Sequence, residues 1–179
     1  MEDLRVINIV RTMTVDHSLD LELIYRSFDN SVLYSGRPEM LVMRMDNGRN
    51  LQMFRSGKVQ IFGNLNHEEA ERMQHELVMK LRTILPYLQV APMKIVNLVV
   101  SAKLKNVIHL PTVTSSNATV FYETELFPAA LISKWHPAHV AVFHNGKVII
   151  TGVKSICDVH TLLSELIPFL THLQPPTFK

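Results

Sequence analysis

The chain has 179 residues, 47% of them hydrophobic and 19% charged, with 18 Lys and Arg against 16 Asp and Glu, 6 Gly and one Cys. That composition excludes a disordered, collagen-like or low-complexity chain and leaves room for one sizeable core or two small ones. A single cysteine permits no internal disulfide or cysteine-based zinc site, and the start Met1-Glu-Asp-Leu lacks a signal-peptide pattern, so an intracellular compartment is expected. No apolar run approaches the roughly 18 residues of a membrane span. The net charge of +2 neither demands nor excludes nucleic acid.

In chain order, Arg5 to Met13 is rich in β-branched residues and reads as a strand. A short helix is expected from near His17-Ser-Leu-Asp20 towards Arg26. Between Met40 and Phe62, the hairpin signal Asp46-Asn-Gly-Arg49 separates two strands and Arg55-Ser-Gly-Lys58 marks a second tight turn. Asn66 followed by Glu69 is a capping-box pattern. Ala70, Met73, Leu77, Leu81 and Ile84 then form one apolar stripe, which predicts a helix over about 67–85. Met93 to Val100 reads as another strand, and a weakly marked helix falls near Leu110. Strands follow over Ala130 to Lys134, Val140 to Phe143 and Val148 to Thr151, with the turn His144-Asn-Gly-Lys147 between the last two. A helix over about 155–172 opens on Ser155 and Asp158 and carries Val159, Leu163, Leu166 and Leu170 on one stripe.

The two halves share this order because the chain repeats itself. At an offset of 89, Asn8 meets Asn97, Val10 meets Val99, and Phe54-Arg-Ser-Gly-Lys-Val-Gln-Ile-Phe-Gly63 lies over Phe143-His-Asn-Gly-Lys-Val-Ile-Ile-Thr-Gly152. The unit is too long for a solenoid repeat. A duplicated half-domain predicts a pseudo-twofold molecule, 1–90 and 91–179 forming one continuous domain. A long amphipathic helix ends each half and covers one face of its sheet, leaving the other face either to bind something or to stand as an aggregation liability.

Phe121-Tyr-Glu-Thr-Glu-Leu-Phe-Pro128, Phe143 to Gly152 and Ile167-Pro-Phe169 together resemble the C-terminal repeat of the TATA-box-binding protein family. Ile7-Asn-Ile-Val10, Leu19-Asp-Leu21 and Leu41-Val-Met-Arg44 resemble its first repeat. The resemblance covers about residues 4 to 172. It implies an α+β saddle, a ten-stranded antiparallel sheet with helices on the convex face. The concave face would enter the minor groove of promoter DNA and drive apolar wedges between base steps; the TATA-binding protein is itself a type case of this binding. Such binding needs few cations, so a charge of +2 does not count against it.

Residue by residue, the resemblance implies that Asn8 and Asn97 reach the central base pairs, with Val10 and Val99 as apolar companions. Phe127 and Phe143 match the second-repeat wedges and Thr151 a base-edge contact. Arg44, Lys58 and Lys147 are candidates for phosphate contacts. An Asn within a strand also serves to cap a backbone irregularity, and most Phe residues are buried. In the first repeat, Phe54 keeps one wedge, but Pro38 falls at the other. Gln52 and Gln60 replace small apolar residues, Phe62 replaces a threonine and is a candidate to fill the gap beside Pro38, and Ala141 replaces a larger aliphatic residue. Residues 1–90 hold 11 Lys and Arg against 12 Asp and Glu, net −1; residues 91–179 hold 7 against 4, net +3. The first half is therefore the poorer DNA surface.

Partner contacts follow from the same resemblance. The segment Asn30, Ser31, Val32, Leu33 and Tyr34 matches the edge strand extended by transcription factor IIA, and Glu123, Glu125 and Leu126 match the loop that docks transcription factor IIB. The expectation is a nuclear TATA-binding-protein-related initiation factor that binds core-promoter DNA and recruits both factors. The alternative is a protein of the same fold that engages them but has lost TATA-box binding. No catalytic constellation, cofactor, small-molecule substrate or membrane is expected. His136, His139 and His144 lack a carboxylate or thiolate neighbour and do not predict a metal site, and Cys157 has no base partner.

Overall fold

The computed structural model of the chain describes residues 2–115 and 119–172. Among these, the elements in order are β1 (Glu2–Thr14), α1 (Leu21–Ser27), β2 (Ser31–Tyr34), β3 (Met40–Arg44), β4 (Asn50–Phe54), β5 (Lys58–Gly63) and α2 (His67–Arg82). They continue as β6 (Lys94–Lys103), α3 (Leu110–Ser115), β7 (Val120–Phe121), β8 (Ala129–Ile132), β9 (His139–Phe143), β10 (Lys147–Val153) and α4 (Ile156–His172). This is the expected α+β content of ten strands and four helices. The offset of 89 carries over to element starts: Leu21 to Leu110, Ser31 to Val120, Met40 to Ala129, Asn50 to His139, Lys58 to Lys147 and His67 to Ile156.

Two compact units form, Ile9–Ile95 and Met1–Asn8 with Val96–Lys179. In the unit Ile9–Ile95, the antiparallel order is β2-β3-β4-β5-β1. Leu41, Met43, Leu51, Met53, Val59 and Ile61 alternate onto the face beneath the helices and are buried with Ile24 of α1 and Ala70, Met73, Leu77 and Leu81 of α2. Strand period two and helix period 3.6 thus meet in one core. Asn66 Oδ1 accepts from the Glu69 N–H and Glu69 Oε2 from the Asn66 N–H, both at 2.8 Å, which starts α2 as expected. The helix ends at Arg82, short of Ile84, because Pro86 disfavours helical backbone before it. Thr83 caps Lys80 O, and Arg82 turns its guanidinium to Leu88 O.

The other unit has the antiparallel order β6-β10-β9-β8-β7. Val100, Val140, Val142, Val148 and Ile150 are buried, as are Val159, Leu163, Leu166 and Leu170 of α4. Ser155 Oγ accepts from the Asp158 N–H at 3.1 Å and Asp158 Oδ2 from the Ser155 N–H at 2.9 Å. The Ser155 side chain, ahead of the backbone donors, is the main reason the Asp158 carboxyl is held below its ordinary range. Two short edge elements, β7 and α3, carried weak sequence signals because two to six residues set no period.

The Gly-Lys turns of the two units are built alike. Gly57 and Gly146 have φ of +83° and +82°, and a Cβ would lie 2.7 Å from His17 O and 2.5 Å from Asn106 O. Their carbonyls accept from the Val15 and Leu104 N–H groups, both at 2.9 Å. Only glycine satisfies both the left-handed backbone and the close approach.

Candidate nucleic-acid interface

Each sheet has a face without helices, and the residues of opposite alternation phase lie on it. In the unit Ile9–Ile95, register pairs there are Val10 with Phe62, Thr12 with Gln60, Gln60 with Gln52, Gln52 with Val42, and Phe54 with Met40. All are half-buried. In the other unit they are Ser101 with Ile149, Ile149 with Ala141, Ala141 with Leu131, and Thr151 with His139.

Asn97 lies beside a bulge. Pairing of β10 with β6 shifts between Ile150 and Val153, and Asn97 Oδ1 accepts the Gly152 N–H at 2.7 Å. A backbone irregularity of the kind an in-strand Asn serves to cap is therefore present. Its consequence is that the amide oxygen is held by the backbone and Nδ2 remains as donor, the polarity that suits the acceptor-only minor groove of A·T pairs. Val99 lies within the same bulge. Asn8 is half-buried on β1.

Phe127 and Phe143 form one station. Their ring centroids are 6.0 Å apart at an interplanar angle of 62°, Phe127 is 41% exposed, and Lys147 Nζ stands 5.9 Å from the Phe143 ring. Glu123 O accepts from the N–H groups of Leu126 and Phe127 at 3.1 and 3.0 Å, closing the turn that holds Phe127 beside Phe143. Further along this face, Phe121, Leu131, His139, Ala141, Ile149 and Thr151 line an apolar cavity of about 430 Å³.

The matching station of the other unit differs. Pro38 and Phe54 line a cavity of about 540 Å³ with Glu39, Arg55, Ser56 and Lys58. Arg55 donates to Glu39 Oε2 at 2.7 Å, and this hydrogen bond holds the guanidinium charge more firmly than usual. Phe62 does not fill the gap beside Pro38. It sits opposite Val10, at the other end of β5 from Lys58, roughly 13 Å away at the rise of a strand. Arg44 and Lys58 are exposed.

Of the expected partner residues, Asn30, Val32 and Tyr34 are exposed and Leu33 is half-buried. Ser31 is turned inward, its Oγ donating to Phe28 O at 2.7 Å, so only its backbone lies on the edge. Strand β2 is terminal in its sheet. Glu123, Glu125 and Leu126 are exposed, Leu126 to 75%.

Two further residues of the sheet carry weaker sequence signals. Thr12 lies on the open face, and its alternation with Val10 was the available signal. Arg11 is 6% exposed on the opposite phase, its Nη2 donating to Leu65 O at 2.9 Å, and burial pushes its guanidinium pKa down. Among the described residues no group of three His, Cys, Asp or Glu side chains is placed to hold a metal, and no helix is long and apolar enough to cross a membrane.

The two repeated units define a duplicated α+β class of fold, and comparison with known proteins names the family. The sequence profile described as "Transcription factor TFIID (or TATA-binding protein, TBP)" matches residues 3–84 and again 92–173, and the chain belongs to this family of transcription factors. It is 31% identical over 171 residues to the TBP-related factor of Drosophila melanogaster, covering 94% of this chain and 76% of that protein. It is 28% identical over 169 residues to the TATA-box-binding protein of Sulfolobus acidocaldarius, covering 93% and 86%. The solved structure of Methanococcus jannaschii TBP superposes with a TM-score of 0.79 at 28% identity, covering 95% of this chain and 99% of that one.

Proposed function

We propose that the chain is a nuclear TATA-binding-protein-related initiation factor whose two repeats, 1–90 and 91–179, act as one continuous domain. It binds core-promoter DNA in the minor groove and recruits transcription factors IIA and IIB, without catalysis. The observation that carries this reading is the Phe127–Phe143 station, a part-exposed aromatic pair on a helix-free sheet face. Aromatic rings left in water are costly unless a partner covers them, and base steps are such a partner. Asn8, Asn97, Val10, Val99 and Thr151 supply groove contacts, and Arg44, Lys58 and Lys147 supply phosphate contacts. The free edge of β2 takes factor IIA by backbone pairing, with Val32 and Tyr34 flanking it. Glu123, Glu125 and Leu126 form the ridge for factor IIB.

A second reading is favoured by the other station. Pro38 stacks less well than Phe, and the Arg55–Glu39 pair places a carboxylate where phosphates would approach. On this reading the protein keeps IIA and IIB but has lost TATA-box binding. A gel-shift on TATA and random duplexes at fixed salt, with and without the two factors, decides. Shift of the TATA duplex supports the first reading; factor binding with no shifted duplex supports the second.

A further inference from the structure

The open faces of the two units differ most at one row of residues. On the sheet of Ile9–Ile95, Gln52 and Gln60 are directly opposite each other, and Thr12 is opposite Gln60. Cross-strand partners place their Cβ atoms about 5 Å apart, within reach of a single base-pair edge. Both residues are half-buried, and among the described residues no hydrogen bond reaches either side-chain amide. Thr12 donates its hydroxyl to Val59 O at 3.1 Å, which leaves its oxygen as an acceptor on the same row. The row of the other unit, 89 residues on, is Ala141, Ile149 and Ser101 in the same register. There the two central positions are apolar.

The minor-groove edge of an A·T pair exposes acceptors only, whereas a G·C pair adds the guanine N2 amino donor. An apolar pair pressed onto that amino group leaves a desolvated donor without an acceptor, which is unfavourable. A glutamine pair provides an acceptor for it in Oε1, while Nε2 donates to the neighbouring N3 and O2 atoms. We infer that Gln52 and Gln60 are base-reading residues that admit a G·C pair in the half-site under the first repeat, while Ala141 and Ile149 restrict the other half-site to A·T. The inference rests on the DNA-binding reading above. It also gives the protein an orientation on DNA that an equal pair of faces would not impose.

The test is competition binding of the full chain to A·T-rich duplexes carrying one G·C pair at successive positions, each matched to a duplex with inosine in place of guanine. Inosine removes only the N2 amino group. The expected result is one half of the site where guanine and inosine bind equally, and one where guanine binds about 10-fold more weakly, the usual scale of one wrong base pair. The variant Gln52→Ala with Gln60→Ile imposes the 10-fold guanine loss on the tolerant half. The reciprocal Ala141→Gln with Ile149→Gln relieves it on the other half, and stands as the test if the first variant fails to fold. Equal guanine-to-inosine ratios in both halves, or ratios unmoved by the variants, overturn the base-reading role and leave DNA binding intact. Failure of every duplex to bind overturns both.

Discussion

Two stations built on the same backbone frame carry different chemistry. At one, Phe127 and Phe143 stand 6.0 Å apart with Lys147 over a ring. At the other, 89 residues earlier, Pro38 and Phe54 share a cavity with the Arg55–Glu39 ion pair. The backbone beneath them is conserved between the copies down to the turn glycines and the carbonyls of Gly57 and Gly146. Core positions are constrained by close packing, where a lost methylene is felt, whereas a side chain on an open face costs little to change until a ligand arrives. The two copies therefore share their frame and differ on their open faces.

If the halves differ only on their faces, equivalent core truncations must act alike. Leu77→Ala in α2 and Leu166→Ala in α4, both fully buried, are each expected to cost about 2–5 kcal/mol in denaturant unfolding. A much smaller loss at one of them would show that the halves differ in packing too. The next largest effect separates the stations: Phe127→Ala with Phe143→Ala is expected to weaken DNA binding roughly 100-fold in a gel-shift, against roughly 10-fold for Phe54→Ala, from about 1–3 kcal/mol per stacked ring. Unchanged affinity in the double variant would rule out wedging at that station.

The difference can also be narrowed. Pro38→Phe restores a ring beside Phe54 and is expected to tighten binding several-fold. Glu39→Ala frees Arg55 for a phosphate and is expected to steepen the salt dependence by about one unit of log-log slope. A flat response to both would mean that the first-repeat station stays off the duplex.

The smallest effect concerns the helix caps. Because the Asp158 carboxyl is held below its ordinary range, its contribution to stability is present above the unfolded carboxylate pKa of about 3.9 and disappears as pH falls through its folded value. Asp158→Asn is expected to lower the melting temperature slightly at pH 7 and by less at about pH 3. A difference of equal size at both pH values would show that the charge is irrelevant to the cap.

Both long helices were legible because each buries a stripe at 3.6-residue spacing behind a capping pair that reads directly from Asn66 and Glu69 or Ser155 and Asp158. The end of α2 was misplaced by three residues, since the stripe continues through Ile84 while Pro86 and the Arg82–Leu88 contact stop the helix. Within the candidate site, the motifs singled out Phe127 and Phe143, and only the fold brings their rings together. The ion pair at Pro38 was not legible, because Glu39 and Arg55 are 16 residues apart and meet only across β3 and β4. The inward turn of Ser31 was hidden for a related reason: a hydroxyl on an edge strand reads as solvent-facing until Phe28 O is seen to accept it.

By itself the sequence determined the duplication, the order of elements in each copy and the two Gly-Lys turns, because periodicity, capping and turn chemistry are local properties. Only the tertiary structure decided which residues share a face. Gln52, Gln60 and Thr12 form one row, Phe62 lies far from Pro38, and the Asn97 oxygen is held by Gly152, because strand register sets contacts between residues distant along the chain.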